Sequence, residues 1–146
     1  MSGDSEQAIA ERVVSAMMSK DAFSQWLGIE VTNVKPHAAT VRMTVRQEMV
    51  NGFGVCHGGI AFSLADSALA FASNTHGNVT VSIENSITYP KAIAVGDVLT
   101  ATAEEESATN RLGFYRVTVW REDGETVALF RGTVYKTPKP YFNDSE

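Results

Sequence analysis

The stretch Asn51 to Phe71, NGFGVCHGGIAFSLADSALAF, constrains this chain more than any other. A glycine-rich loop runs into a segment whose apolar residues fall on nearly every side of a helix: Ile60, Ala61, Phe62, Leu64, Ala65, Ala68, Leu69, Ala70, Phe71 and Ala72. A helix with one apolar stripe can lie on a surface, but one that is apolar almost all round has to be wrapped by the rest of the fold. Its many small residues allow neighbours to approach closely. The spacing predicts a helix from about His57 to Asn74, ended by His76-Gly77-Asn78, and one carboxylate, Asp66, interrupts it.

Strands flank this helix. Ile29–Val34 and Thr40–Arg46 precede it, the second alternating Val41, Met43 and Val45 with polar residues. His37-Ala38-Ala39 after Pro36 is the turn between them. Val79–Tyr89, Val98–Ser107, Leu112–Arg121 and Thr126–Lys136 follow. They are separated by Pro90 with Gly96-Asp97, by Thr109-Asn110 and by the hairpin signal Asp123-Gly124. The last three read as an antiparallel meander. Ser5 to about Met18 reads as a helix carrying Ala8, Ile9, Val13, Ala16 and Met17. Asp21 opens a second short apolar group, Phe23, Trp26 and Leu27, closed by Gly28. The chain is therefore expected to be one α+β domain over 1–146, with a helical segment in 1–24 and a frayed tail over 138–146. One twisted antiparallel sheet curling around one long central helix, the hotdog fold, satisfies this order.

A formal net charge of −5 with no lysine or arginine cluster argues against nucleic acid or an anionic membrane as partner. Cys56 is the single cysteine, which rules out an intrachain disulfide and a multi-cysteine metal site. Three scattered histidines have no metal-binding spacing, so no metal is expected, and His37 and His76 are expected to be solvated in turns. The acidic start MSGDSEQAIAERVV lacks the features of a secretory signal, and no apolar run approaches the ~18–20 residues that span a bilayer. A cytoplasmic location is the expectation.

The loop and helix offer two chemical parts. Backbone N–H groups at a helix start are unpaired and welcome developing negative charge. Gly58 and Gly59 expose theirs to close approach because they lack side chains. Asp66 supplies a carboxylate in an apolar setting, as general base or as nucleophile. Eight residues separate Gly58 from Asp66, about 12 Å along a helix, whereas a reacting carbonyl must lie within ~3–3.5 Å of both. A two-fold dimer with antiparallel copies of this helix crossing near Phe62 removes the conflict and builds two equal shared sites. His57 is suited to orienting the loop or the reacting group, with Asn51, or to capping the helix. Ser82, on a strand face read as Thr80, Ser82, Glu84 and Ser86, could orient an attacking water. Cys56 is a poor nucleophile candidate, because adjacent side chains rarely aim at each other and so His57 cannot readily activate it.

These residues carry a resemblance. Asn51-Gly52, His57-Gly58-Gly59 and Phe62-Ser-Leu-Ala-Asp66, supported by Gly96-Asp97 and by Phe130-Arg-Gly132, are similar to the PaaI-type acyl-CoA thioesterases of the hotdog superfamily, linked to phenylacetic acid degradation. The resemblance implies hydrolysis of an acyl-CoA, the acyl group aromatic, phenylacetyl or hydroxylated phenylacetyl. It implies Asp66 as the carboxylate, a carbonyl-polarising N–H at Gly58, orienting roles for His57 and Asn51, and a tetramer of two dimers. No cofactor is implied, coenzyme A being part of the substrate. Phe53 and Val55 could line the acyl pocket, and Lys91, Arg111 and Arg131 are candidates by type for the phosphates. A non-catalytic acyl-CoA-sensing module and a hotdog hydratase remain the alternatives.

Overall fold

The computed structural model describes residues 5–143. The expected terminal segments extend beyond it, residues 1–4 and 144–146 lying outside the described residues. Helix α3 (Gly58–Asn74) lies across a single antiparallel sheet. Its strands are β1 (Glu30–Lys35), β2 (Ala38–Thr44), β3 (Asn78–Thr88), β4 (Val98–Ala108), β5 (Leu112–Arg121) and β6 (Thr126–Pro140), in the spatial order β1-β2-β4-β5-β6-β3. The meander is β4-β5-β6. The strands on either side of α3 in sequence end up far apart: β2 pairs with β4, and β3 pairs with β6 at the opposite edge. The chain thus leaves the sheet after β2, crosses its face as α3 and returns at the far edge as β3.

Alternation explains the core. Leu99, Ala101 and Ala103 of β4 and Tyr115, Val117 and Val119 of β5 point to the same side, together with Val41 and Met43 of β2 and Phe130 and Val134 of β6. They meet Leu64, Ala65, Ala68, Leu69 and Ala72 of α3, all buried. Each buried leucine here contributes about 1.5–3 kcal/mol relative to exposure. The wrapping expected of α3 is incomplete in the single chain. Gly59, Phe62 or Ser63, Asp66 and Ala70, three or four residues apart, form a stripe with solvent access. The sheet covers one side of the helix, and among the described residues nothing closes that stripe.

The N-terminal helices are capped as their sequences suggest. Ser5 Oγ accepts from Ala8 N–H at 3.1 Å at the start of α1 (Glu6–Lys20). Asp21 caps α2 (Ala22–Leu27), and Gly28, at φ +77°, closes it in a left-handed conformation. Of the expected α1 stripe Val13 is buried, Ile9, Ala16 and Met17 are half-buried and Ala8 is exposed, while Ala10 and Val14 are buried too, because α1 packs against both β1 and α3. Buried Ser24 and Ser67 hydroxyls, 2.8 Å apart, join α2 to α3. At the other end β6 continues past Lys136 to Pro140, and Tyr141 N–H donates to Gly77 O at 2.7 Å. Part of the segment expected to fray is therefore paired. His37 and His76 do lie in turns, but their rings stack 6.2 Å apart instead of standing separately in solvent. Among the described residues no helix is long and apolar enough to cross a membrane.

One irregularity matters for the site. β3 and β6 slip register between Ser82 and Glu84, leaving Ile83 as a bulge. The expected face of Thr80, Ser82, Glu84 and Ser86 is therefore broken. After the bulge Asn85 and Ile87 turn inward, and Glu84 and Ser86 turn outward.

Candidate active site

The loop before α3 is built by Asn51. Its side-chain oxygen accepts from the N–H groups of Phe53 at 2.9 Å and Val55 at 3.3 Å. Its own N–H donates to Val55 O at 2.8 Å. Gly54, at φ +80°, supplies the one backbone turn that a side chain would resist. Neighbouring segments then clamp the loop: Cys56 N–H donates to Ile93 O at 2.7 Å and His57 N–H to Met49 O at 2.8 Å. Asn51 thus shapes the loop and makes no side-chain bond to His57.

His57 caps α3. Its Nδ1 accepts from Gly59 N–H at 3.1 Å, which leaves the ring proton on Nε2 in the neutral form. This separates the two glycines that the sequence offers as equals. The Gly59 donor is used by the cap, whereas among the described residues the Gly58 N–H has no acceptor. The Gly58 carbonyl accepts from Tyr89 O–H at 2.8 Å, and a Cβ at position 58 would lie 3.1 Å from the Tyr89 ring. Tyr89 was invisible as a site residue in the sequence, where it is one more aromatic at a strand end. Val55, His57, Gly58, Tyr89, Lys91 and Ile93 line a cavity of about 380 Å³.

Asp66 stands two turns along α3, half-buried on the open stripe and outside that cavity. Burial pushes its carboxyl above the usual carboxylate range, the Asp21 carboxylate adds to this, and a hydrogen bond from Asn85 opposes it. Asn85 Nδ2 donates to Asp66 Oδ1 at 3.4 Å, and Ser82 O–H donates to Asn85 Oδ1 at 2.8 Å. Ser82 and Asp66 are therefore joined through Asn85, which strict alternation would put on the strand face opposite Ser82. Gly58 and Asp66 are not brought together within one chain.

The remaining candidates sort by geometry. Val55 lines the cavity, but Phe53 is 92% exposed at the loop tip and does not line it. Burial, with Asp97 nearby, pushes the Cys56 thiol up to about 11, so it is no nucleophile at neutral pH. Lys91 pairs with Glu125 at 3.1 Å and Arg131 with Glu106 at 2.7 Å. Arg111 lines a separate cavity of about 410 Å³ with Lys136, His76 and Asn78. A larger cavity of about 690 Å³ lies between α1 and β1, away from Gly58 and Asp66. Among the described residues no three histidine, cysteine or carboxylate groups are placed to hold a metal ion.

An unpaired amide at a helix start and a carboxylate with a raised pKa are parts of a carbonyl-attacking site. Comparison with known proteins agrees. Residues 53–128 match the thioesterase superfamily model. The chain is 39% identical to the acyl-coenzyme A thioesterase PaaI of Escherichia coli, over 83% of this chain and 86% of that one. The solved E. coli PaaI structure, from the phenylacetic acid degradation operon, superposes with a TM-score of 0.91 at 36% identity, covering 93% of this chain and 99% of that one. A Streptococcus mutans protein solved bound to acetyl CoA superposes at 0.74 and 25% identity, covering 77% and 90%. The chain belongs to the thioesterase superfamily, as a hotdog-fold enzyme of the PaaI type.

Proposed function

We propose that this enzyme hydrolyses acyl-CoA thioesters to a free acid and coenzyme A, in two equal sites shared across a homodimer. The observation that carries the reading is the placement of its two reactive parts. The unpaired Gly58 N–H and the half-buried Asp66 carboxylate sit eight residues apart on one helix, Asp66 on a stripe left uncovered by the described residues. A copy of α3 laid antiparallel over that stripe, crossing at Phe62, brings Asp66 of one protomer to Gly58 of the other. The long edge strand β3, paired among the described residues only with β6 and carrying exposed Val81 (47%) and Ile83 (57%), supports a partner along that edge.

In this arrangement the thioester carbonyl accepts from Gly58 N–H, which stabilises the oxyanion of the tetrahedral intermediate. Asp66 of the twin takes a proton from an attacking water, or attacks the carbonyl itself to give an anhydride that water opens. Either route expels the coenzyme A thiolate. His57 fixes the helix start, Asn51 shapes the loop, and Ser82 accompanies Asp66. Val55 borders the cavity at Gly58, while Phe53, pointing away from its own chain, suits a pocket completed by a partner. The E. coli PaaI relative comes from a phenylacetic acid degradation operon, which supports an arylacetyl group as the acyl moiety. Pairing of two dimers into a tetramer and work in the reducing cytoplasm complete the reading.

A panel of acyl-CoAs, followed by thiol release and product analysis, tests it. Hydrolysis fastest on arylacetyl-CoA is the expected result. Tight binding without release would point to a sensor, and a hydrated acyl chain with its thioester intact to a hydratase; either overturns the proposal.

A further inference from the structure

We propose that Asn85 is a positioning residue for Asp66, holding one carboxylate oxygen and the Ser82 hydroxyl in a single hydrogen-bonded line. The inference rests on Asp66 being the proton acceptor or nucleophile of the proposed hydrolysis. The line exists because of the bulge at Ile83. In a regular strand, residues three apart point to opposite faces. The extra residue brings Ser82 and Asn85 to the same side, where the hydroxyl donates to Asn85 Oδ1 at 2.8 Å.

Space for the line is provided by Gly132, which sits opposite Asn85 in the ladder. A Cβ there would lie 2.7 Å from Asn85 Oδ1 and 2.5 Å from Leu69 Cδ2. Without a side chain on β6 at that point, Asn85 reaches over the strand to α3.

The polarity of the line suits the chemistry. A carboxamide accepts at one end and donates at the other, so it takes the serine proton and offers its own N–H to Asp66. Being uncharged, it cannot exchange roles with the acid. Among the described residues Asp66 Oδ2 has no hydrogen-bond partner. One oxygen is therefore held and the other is left for the reacting water or carbonyl. Ser82, its proton committed to Asn85, keeps lone pairs that can accept from that water. The 3.4 Å bond from Asn85 to Asp66 is long, as hydrogen bonds at catalytic groups often are before substrate binds.

The test is the pH dependence of acyl-CoA thiol release by wild type, Asn85→Ala and Asn85→Asp, with melting curves for each. The other charged group that faces Asp66 is Asp21, which is unchanged in all three. In Asn85→Ala the acid limb should move up by about one pH unit, the scale of one lost hydrogen bond to a charged group. Its kcat should fall by about tenfold or more while KM changes less than about twofold. In the near-isosteric Asn85→Asp the limb should move up further, because a second carboxylate then faces Asp66. If Asn85→Ala does not fold, Asn85→Asp decides alone. An unmoved limb in Asn85→Asp, with kcat within about threefold of wild type, overturns the inference and leaves the thioesterase reading standing. A wild type that releases no thiol from any acyl-CoA overturns both.

Discussion

Gly58→Pro removes the Gly58 N–H and places a ring beside Tyr89. Gly58 is the first residue of α3, behind the His57 cap. Proline fits that position because its missing N–H serves no helical bond and its fixed φ suits a helix start. His57 already has ψ 134°, in the range required before a proline. The cost is steric. A Cβ at 58 meets the Tyr89 ring at 3.1 Å, so Tyr89 must yield by a few tenths of an ångström and its 2.8 Å bond to the Gly58 carbonyl weakens. Gly58→Ala carries the same Cβ and keeps the N–H, so the ratio between the two variants cancels the Cβ and measures the exchange of the N–H for the ring Cδ. Losing one oxyanion donor costs about 2.7–4 kcal/mol in the transition state, which places kcat of the proline variant about 10²–10³ below that of the alanine variant. The two should melt within about 1 kcal/mol of each other. Steady-state thiol release, with kcat and KM separated, measures the ratio. Proline and alanine variants that turn over within about threefold of one another would refute the assignment of the Gly58 amide.

Asp66→Asn should abolish turnover yet melt at or above wild type at neutral pH. Folding raises the pKa of Asp66 above its ordinary 3.8, so the native state holds more protons than the unfolded state just above that value. Stability from this group is then present at low pH and falls as pH rises through the raised pKa, a loss that the amide avoids; a lower melting temperature for the variant at pH 7 contradicts this. Cys56, with its thiol pushed up from 9.0 to about 11, should alkylate about 100-fold more slowly at pH 8 than a free thiol, and labelling at the ordinary rate would show that the native fold does not shield it. Gly132→Ala, whose Cβ would lie 2.5 Å from Leu69 Cδ2 and 2.7 Å from Asn85 Oδ1, should destabilise the fold by about 1–3 kcal/mol and lower kcat; a neutral effect on both would show that the strand opposite Asn85 has room to spare.

The sequence made the elements legible because their periods are strong. Alternation of Val41, Met43 and Val45, and the all-round apolar pattern from Ile60 to Ala72, each admit one secondary structure. The strand order was less accessible. That β3 returns at the edge farthest from β1 depends on how α3 crosses the sheet, which leaves no local mark. The bulge at Ile83 was invisible for a similar reason: no glycine or proline flags it, and strict alternation separates Ser82 and Asn85 onto opposite faces. The reactive pair Gly58 and Asp66 could be read because a glycine doublet and a lone carboxylate conflict with helix propensity and apolar burial. Which glycine keeps a free donor could not, since that follows from the rotamer of His57 as a cap. Tyr89 and the stacked His37 and His76 owe their roles to contacts across more than 30 residues.

The claim that one protomer's acid serves the other's amide is tested most directly by mixed dimers. Asp66→Ala and Gly58→Pro chains, carrying different affinity tags, can be co-expressed and the mixed dimer purified away from both parents. One of its two sites then combines a native Asp66 with a native Gly58, and the other combines both lesions. The account predicts about half of wild-type turnover per dimer from two chains that are each inactive as homodimers. A mixed dimer no more active than its parents would contradict it.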